Sequence, residues 1–176
     1  MALPEDESSW DASYVIFATA SGSVRRNKLS DFTKVNANGK IAMKLDDEDH
    51  LVRVRVFEED QNVFLATRKG KCIRFPVTDV RIFSSRNSTG VRGIRLSEDD
   101  EVIAMSGLNH IKVEISERDE YLKSVNASRR LVSGDYTDRA DDKARDEAAA
   151  AQLSEELFQE MQKEEEFILT VTIDGF

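Results

Sequence analysis

At 176 residues, with 40% hydrophobic and 34% charged residues, the chain has the length for one domain with a core and no apolar run long enough for a membrane-spanning helix. A lone cysteine, Cys72, excludes an internal disulfide, and with only two histidines there is no Cys/His cluster for zinc, which fits a reducing compartment. The formal net charge of −9 divides unevenly, since residues 14–112 hold 17 Lys and Arg against 13 Asp and Glu, whereas residues 113–176 hold 8 against 17.

Residues 1–13 are an acidic lead-in. They lack the basic and apolar regions of a secretory signal, and Trp10 is placed to cap an open core. Tyr14–Gly22 then reads Y-V-I-F-A-T-A-S-G, and Asn62–Gly70, 48 residues on, reads N-V-F-L-A-T-R-K-G. The match continues: Gly39–Leu45, the acids Asp46–Asp49 and His50–Val56 sit over Gly90–Leu96, Glu98–Asp100 and Glu101–Gly107, where the offset has grown to 51. A sustained period near 50 indicates units that bury their cores only by stacking on one another. Val, Ile, Phe and Thr fill the runs, and Gly, Asn, Ser and Asp separate them, so each unit reads as four short strands. These are placed at 14–20, 23–29, 40–45 and 50–57 in a first blade (14–60), and at 62–67, 71–77, 91–96 and 101–107 in a second (61–110). The fold class is therefore mainly β, propeller-like, with two four-stranded antiparallel blades. Cys72 falls in a strand and reads as a small buried hydrophobe.

Residues 111–165 match no blade and read as a helical insertion. Ser116-Glu-Arg-Asp119 resembles a capping box, and Arg139–Glu165, rich in Ala, Glu, Lys and Gln, has strong helix composition. Leu153, Leu157 and Met161 form a narrow apolar stripe that packs either on a blade or on the shorter helix. Phe167–Gly175, F-I-L-T-V-T-I-D-G, repeats the first-strand pattern, so 166–176 is expected to open a further blade with a strand at 166–173.

The recurring turns place acids at Asp46–Asp49, Glu58–Asp60 and Glu98–Glu101, and bases after each Thr-x-x-Gly. One edge should be acidic and another basic. Arg25, Arg26, Lys28, Lys69, Lys71, Arg74, Arg86 and Arg92 are the candidate track for a polyanion. Bases on exposed strands also serve solubility and edge protection. Repetition favours the track, because Arg26 and Arg74 fall at the same offset after Gly22 and Gly70. No aromatic residues interleave with the bases, which points to phosphates of a duplex rather than to stacked single strands. No catalytic constellation is present: His50 and His110 lack a Ser or Cys partner, and Asp46–Asp49 lack calcium-loop spacing.

The pattern V-x-x-A-T-x-x-G-x-x-x-R, the loop Arg86-Asn-Ser-Thr-Gly-Val-Arg-Gly-Ile-Arg-Leu96 and the segment Phe167–Gly175 resemble the C-terminal domain of bacterial DNA gyrase A. The resemblance implies β-pinwheel blades whose basic rim wraps duplex DNA, within a type II topoisomerase that introduces negative supercoils using ATP. It implies duplex DNA, gyrase B and a second copy of gyrase A as partners in a heterotetramer, no membrane, and a cytoplasmic, nucleoid-associated setting. No cofactor is implied for this chain, since ATP and magnesium act elsewhere in the holoenzyme. The family's catalytic Tyr region and its glycine- and arginine-rich box have no counterpart here, so the chain reads as a fragment without catalytic residues. The equivalent blades of topoisomerase IV and a protein-interaction propeller are the alternatives.

Overall fold

The computed structural model describes residues 3–4, 6–34, 38–85, 87–133 and 154–171. It comprises two compact units, Met1–His110 and Ile111–Phe176.

The first unit contains β1 (Tyr14–Thr19), β2 (Ser23–Lys28), β3 (Leu51–Phe57), β4 (Gln61–Thr67), β5 (Cys72–Pro76), β6 (Val91–Arg92) and β7 (Val102–Asn109). The strands pair antiparallel in a four-stranded sheet, β3-β1-β2-β6, and a three-stranded sheet, β5-β4-β7. The repeated Thr-x-x-Gly is the β1–β2 and β4–β5 turn. Gly22 and Gly70 sit at φ +86° and +81°, a conformation that favours glycine, and their amides bond back to the carbonyls of Thr19 and Thr67 at 3.0 and 3.1 Å. Each Thr hydroxyl accepts the amide that follows the glycine, from Ser23 at 3.2 Å and from Lys71 at 3.0 Å.

The two sequence copies do not each close a sheet of their own, as the repeat suggested. The third segment of the second copy crosses over, and β6 pairs with β2 of the first copy. The connection from β5 is what carries it there: Phe83 N donates to Arg26 O (2.8 Å), Asn27 Nδ2 donates to Phe83 O (2.6 Å), and Gly93 N donates to Gly22 O (2.8 Å). Glycine is required at this crossing, because a Cβ on Gly93 would lie 2.7 Å from Val24 Cγ1. Residues 40–45 of the first copy form no strand. The same relation would pair them with the second strand of a preceding sheet, and the described residues include none.

Alternate residues of β1 point to opposite faces, and both faces are covered. Tyr14, Ile16 and Ala18 join Val24 against Val63 and Leu65 of the second sheet, together with Val77, Val80, Ile94, Val102 and Met105. Val15 and Phe17 pack with Trp10, Leu29 and Met43. Trp10 caps this side as expected, 6% exposed, its Nε1 donating to Pro4 O at 3.0 Å.

The second unit contains α1 (Ile115–Ser133) and α2 (Glu155–Lys163). Helix α1 starts earlier than the Ser116–Asp119 reading placed it. The Glu117 carboxylate accepts the Glu114 amide at 3.0 Å, so the reciprocal half of a capping box falls at 114–117. Ser154 caps α2, accepting Leu157 N at 3.4 Å. Residues 139–153 of the expected second helix, Leu153 included, lie outside the described residues. Met161 and Leu157 of the stripe pack with Phe158 on Tyr121, Val125 and Val113, so the helix they meet is the first, α1, which at 19 residues is the longer of the two described. Residues 166–171 are in no strand, and the rest of the expected ninth strand falls outside the described residues.

Candidate nucleic-acid interface

Strand β2, S-V-R-R-N-K, reads as a basic exposed strand, yet four of its side chains are interior. Arg25 is 0% exposed and Arg26 3%. Arg25 donates from Nε to Asn27 Oδ1 (2.8 Å) and from Nη1 to the Ser88 carbonyl and to Ser88 Oγ (2.9 Å), with its guanidinium 4.9 Å from the centre of the Phe83 ring. Burial, with Arg81 nearby, pulls its pKa below the ordinary arginine value. Arg26 donates from Nη1 to the carbonyls of Val77 (3.2 Å) and Val80 (3.4 Å) and lies 3.7 Å from Glu59. The expectation that these two meet phosphate is therefore corrected. The crossing segment and the second sheet cover them, and they hold those two elements in place.

Arg74 is exposed, bonded from Nη2 to Asn109 O at 3.0 Å. Its Nη2 also lies 2.8 Å from the oxygen of the Asn62 amide in the orientation that satisfies both groups. Lys28 and Arg92 are exposed, and Arg86 lies outside the described residues. Lys69 and Lys71 are exposed and converge on the segment after β6: Lys69 Nζ donates to Glu98 O at 2.6 Å, and Lys71 Nζ to Arg95 O. The first copy has Ser21 and Ser23 where the second has Lys69 and Lys71, so the basic turn occurs once and not at each repeat.

The sequence reading passed over Arg53 and Arg55 on β3 and Arg95, which are exposed and make no ion pair among the described residues. The alternation of L-V-R-V-R-V-F in β3, polar on one face and apolar on the other, was the available signal. Cys72, expected to be buried, is exposed.

The acidic edge is present. Asp46, Glu48 and Asp49 of one copy and Asp100 and Glu101 of the other line a single depression with Ala20, Ser21 and His50. Asp49 and Asp100 are staples for the turns. Asp49 Oδ1 accepts the amides of Ser21 and His50, both at 2.9 Å, and its Oδ2 accepts Ser21 Oγ at 2.6 Å. Asp100 Oδ1 accepts the amides of Lys69 (2.9 Å) and Glu101 (3.0 Å). Partial burial raises each carboxyl's pKa, and these hydrogen bonds more than reverse it, so both lie below the ordinary carboxylate value. No group of three or more His, Cys, Asp or Glu among the described residues is arranged to hold a metal ion.

A family model described as DNA gyrase C-terminal domain, beta-propeller, matches residues 13–58 and 61–109. The chain is 46% identical over its whole length to the DNA gyrase A protein of Rickettsia bellii, covering 19% of that protein. It is 44% identical to that of Granulibacter bethesdensis, again over the whole chain and 20% of the relative. The chain thus spans about a fifth of the length of these curated relatives. A solved DNA gyrase A C-terminal domain superposes with TM-score 0.51 at 31% identity, over 56% of this chain and 32% of that one. The C-terminal domain of DNA topoisomerase IV superposes with TM-score 0.53 over 56% of this chain and 30% of that one, and at 23% identity it shows the shared fold alone. Both sequence copies and both sheets fall inside the matched stretches, and the chain belongs to the DNA gyrase C-terminal domain, beta-propeller, family.

Proposed function

We propose that this chain is a DNA-binding and DNA-wrapping segment of the gyrase A protein of a type II topoisomerase, DNA gyrase, and that it supports ATP-dependent negative supercoiling without contributing catalytic residues. The observation that carries the reading is family membership across both sheets together with 46% identity along all 176 residues. In this reading 14–60 and 61–110 act as blades, 111–165 is an insertion, and 166–176 opens a further blade. The partners are duplex DNA, gyrase B and a second copy of gyrase A, in the cytoplasm at the nucleoid. An exposed free thiol at Cys72 suits that reducing setting.

The contacts are carried by the exposed bases. Lys28, Lys69, Lys71, Arg74 and Arg92 remain from the sequence reading, as does Arg86, which lies outside the described residues, and Arg53, Arg55 and Arg95 join them. The described ones lie on strands, in turns or in the segment after β6, and no helix of the described first unit offers a reader for the major groove, so phosphate contact and bending do the work. The test is the salt dependence of duplex binding by the whole chain. Phosphate contacts give a steep negative slope of log K against log salt, of about −0.9 per neutralised phosphate. Absence of measurable duplex affinity at low salt would favour a protein-interaction module instead.

A further inference from the structure

We infer that Arg81, Lys44 and the Ser88 hydroxyl, backed by the buried Arg25, form a site for one free phosphate ion. The two interior arginines of β2 differ in their counter-charge. Arg26 has a carboxylate, Glu59, 3.7 Å away. Arg25, 0% exposed, has none: its Nη2 has no hydrogen-bond partner, and the charge close enough to act on it is another cation, Arg81. A buried charge is costly unless an opposite charge or a full set of hydrogen bonds meets it. The repeat itself does not require a charge at this position. Forty-eight residues on, opposite Leu65 as Arg25 is opposite Phe17, stands Ile73.

Other donors converge on the same place. The Arg25 and Arg81 guanidiniums lie over one ring, 4.9 and 3.9 Å from the centre of Phe83. Ser88 Oγ accepts from Arg25 Nη1 at 2.9 Å, and among the described residues its own proton goes to no acceptor. Lys44 is brought to this serine by its backbone, whose amide donates to Ser88 O at 3.4 Å. Arg81 and Lys44 are exposed, and their side chains form no ion pair among the described residues. Cations gathered about one hydroxyl suit a compact anion with several free oxygens, each able to accept a charge-assisted hydrogen bond. A duplex backbone instead runs past as a row of diesters, which bases spread along strands and turns can follow. The convergence on Ser88 therefore favours free phosphate, and the inference does not rest on the DNA-binding reading.

The test titrates the 176-residue chain with inorganic phosphate at fixed ionic strength, by calorimetry, beside Arg81→Gln and Lys44→Gln. Both substitutions are at exposed side chains, and circular dichroism confirms that the variants are folded. A single saturable site is expected, its Kd raised about tenfold in Arg81→Gln and by a smaller factor in Lys44→Gln. Phosphate should also raise the thermal midpoint of the parent chain more than that of Arg81→Gln, because a ligand of the folded state stabilises it. Phosphate stabilises proteins in general by exclusion from their surface, so an equal rise in both chains would overturn the inference. Absence of saturable binding, or the same Kd in the parent and both variants, would do so too. Duplex binding measured without phosphate separates the two sources of the anion. Arg81→Gln should leave the slope of log K against log salt unchanged, and a slope flattened by about one unit would assign the site to the DNA backbone instead.

Discussion

The Arg26 guanidinium lies 3.6 Å from the centre of the Tyr14 ring, on the face of the first sheet that the second sheet covers. The contact couples cation–π attraction to two carbonyl hydrogen bonds in a site that is 3% exposed. Arg26→Ala should cost about 2–4 kcal/mol, from the cavity and the two orphaned carbonyls. Arg26→Met, which refills the volume, should cost less, as hydrophobic replacements of buried charges do. Urea unfolding of the two variants checks this, and equal midpoints for Arg26→Ala and the parent chain would refute the buried role.

Duplex affinity should separate the bases by exposure. Charge reversal of Lys69, Lys71, Arg92 or Arg95 should each flatten the slope of log K against log salt by roughly one unit, on any sequence. Arg25→Met and Arg26→Met, measured where they remain folded, should leave the slope unchanged. A slope altered as strongly by the buried pair as by the exposed four would mean that the interior arginines reach DNA.

The repeat, the turn chemistry and the family were legible because they rest on local pattern: Thr and Gly at fixed spacing, and β-branched runs between turns. The crossing of β6 was not, because a four-strand pattern says how many strands a copy contributes and not which sheet receives each. The same gap misplaced Arg25 and Arg26. The recurrence of Arg26 as Arg74 was read as part of a polyanion track, whereas a residue that clamps one sheet on another recurs by the same repetition. Cys72 failed in the opposite sense: its apolar character suits a covered face, and in this chain that face is open.

Trp10 is the only tryptophan, and it closes the core on the outer side of β1. Trp10→Ala should destabilise the first unit by about 3–4 kcal/mol, in line with other large-to-small changes in cores. Trp10→Phe should recover most of this. In the parent chain tryptophan fluorescence should report the melting of the first sheet, and a fluorescence transition displaced from that seen by circular dichroism would show that Trp10 is not part of that cooperative core.

The two turn staples should make the first unit acid-sensitive in a defined direction. Asp49 and Asp100 titrate below their ordinary value when folded, because backbone amides, and for Asp49 the Ser21 hydroxyl, bond to the charged form. A carboxyl whose folded pKa is depressed contributes stability above its unfolded value, near pH 4, and loses that contribution as pH falls through the lower folded value. Asp49→Ala removes the staple between the β1–β2 turn and the strand that begins at Leu51, and should cost about 1–2 kcal/mol near neutral pH. Below pH 4 the cost should shrink, since protonation removes the same interaction from the parent chain. Asp49→Ala with Asp100→Ala should give the flattest dependence of stability on pH across that window. Urea midpoints measured from about pH 6 down to 2.5 decide the matter. A parent chain and a double variant that lose stability in parallel would show that the staples do not depend on charge.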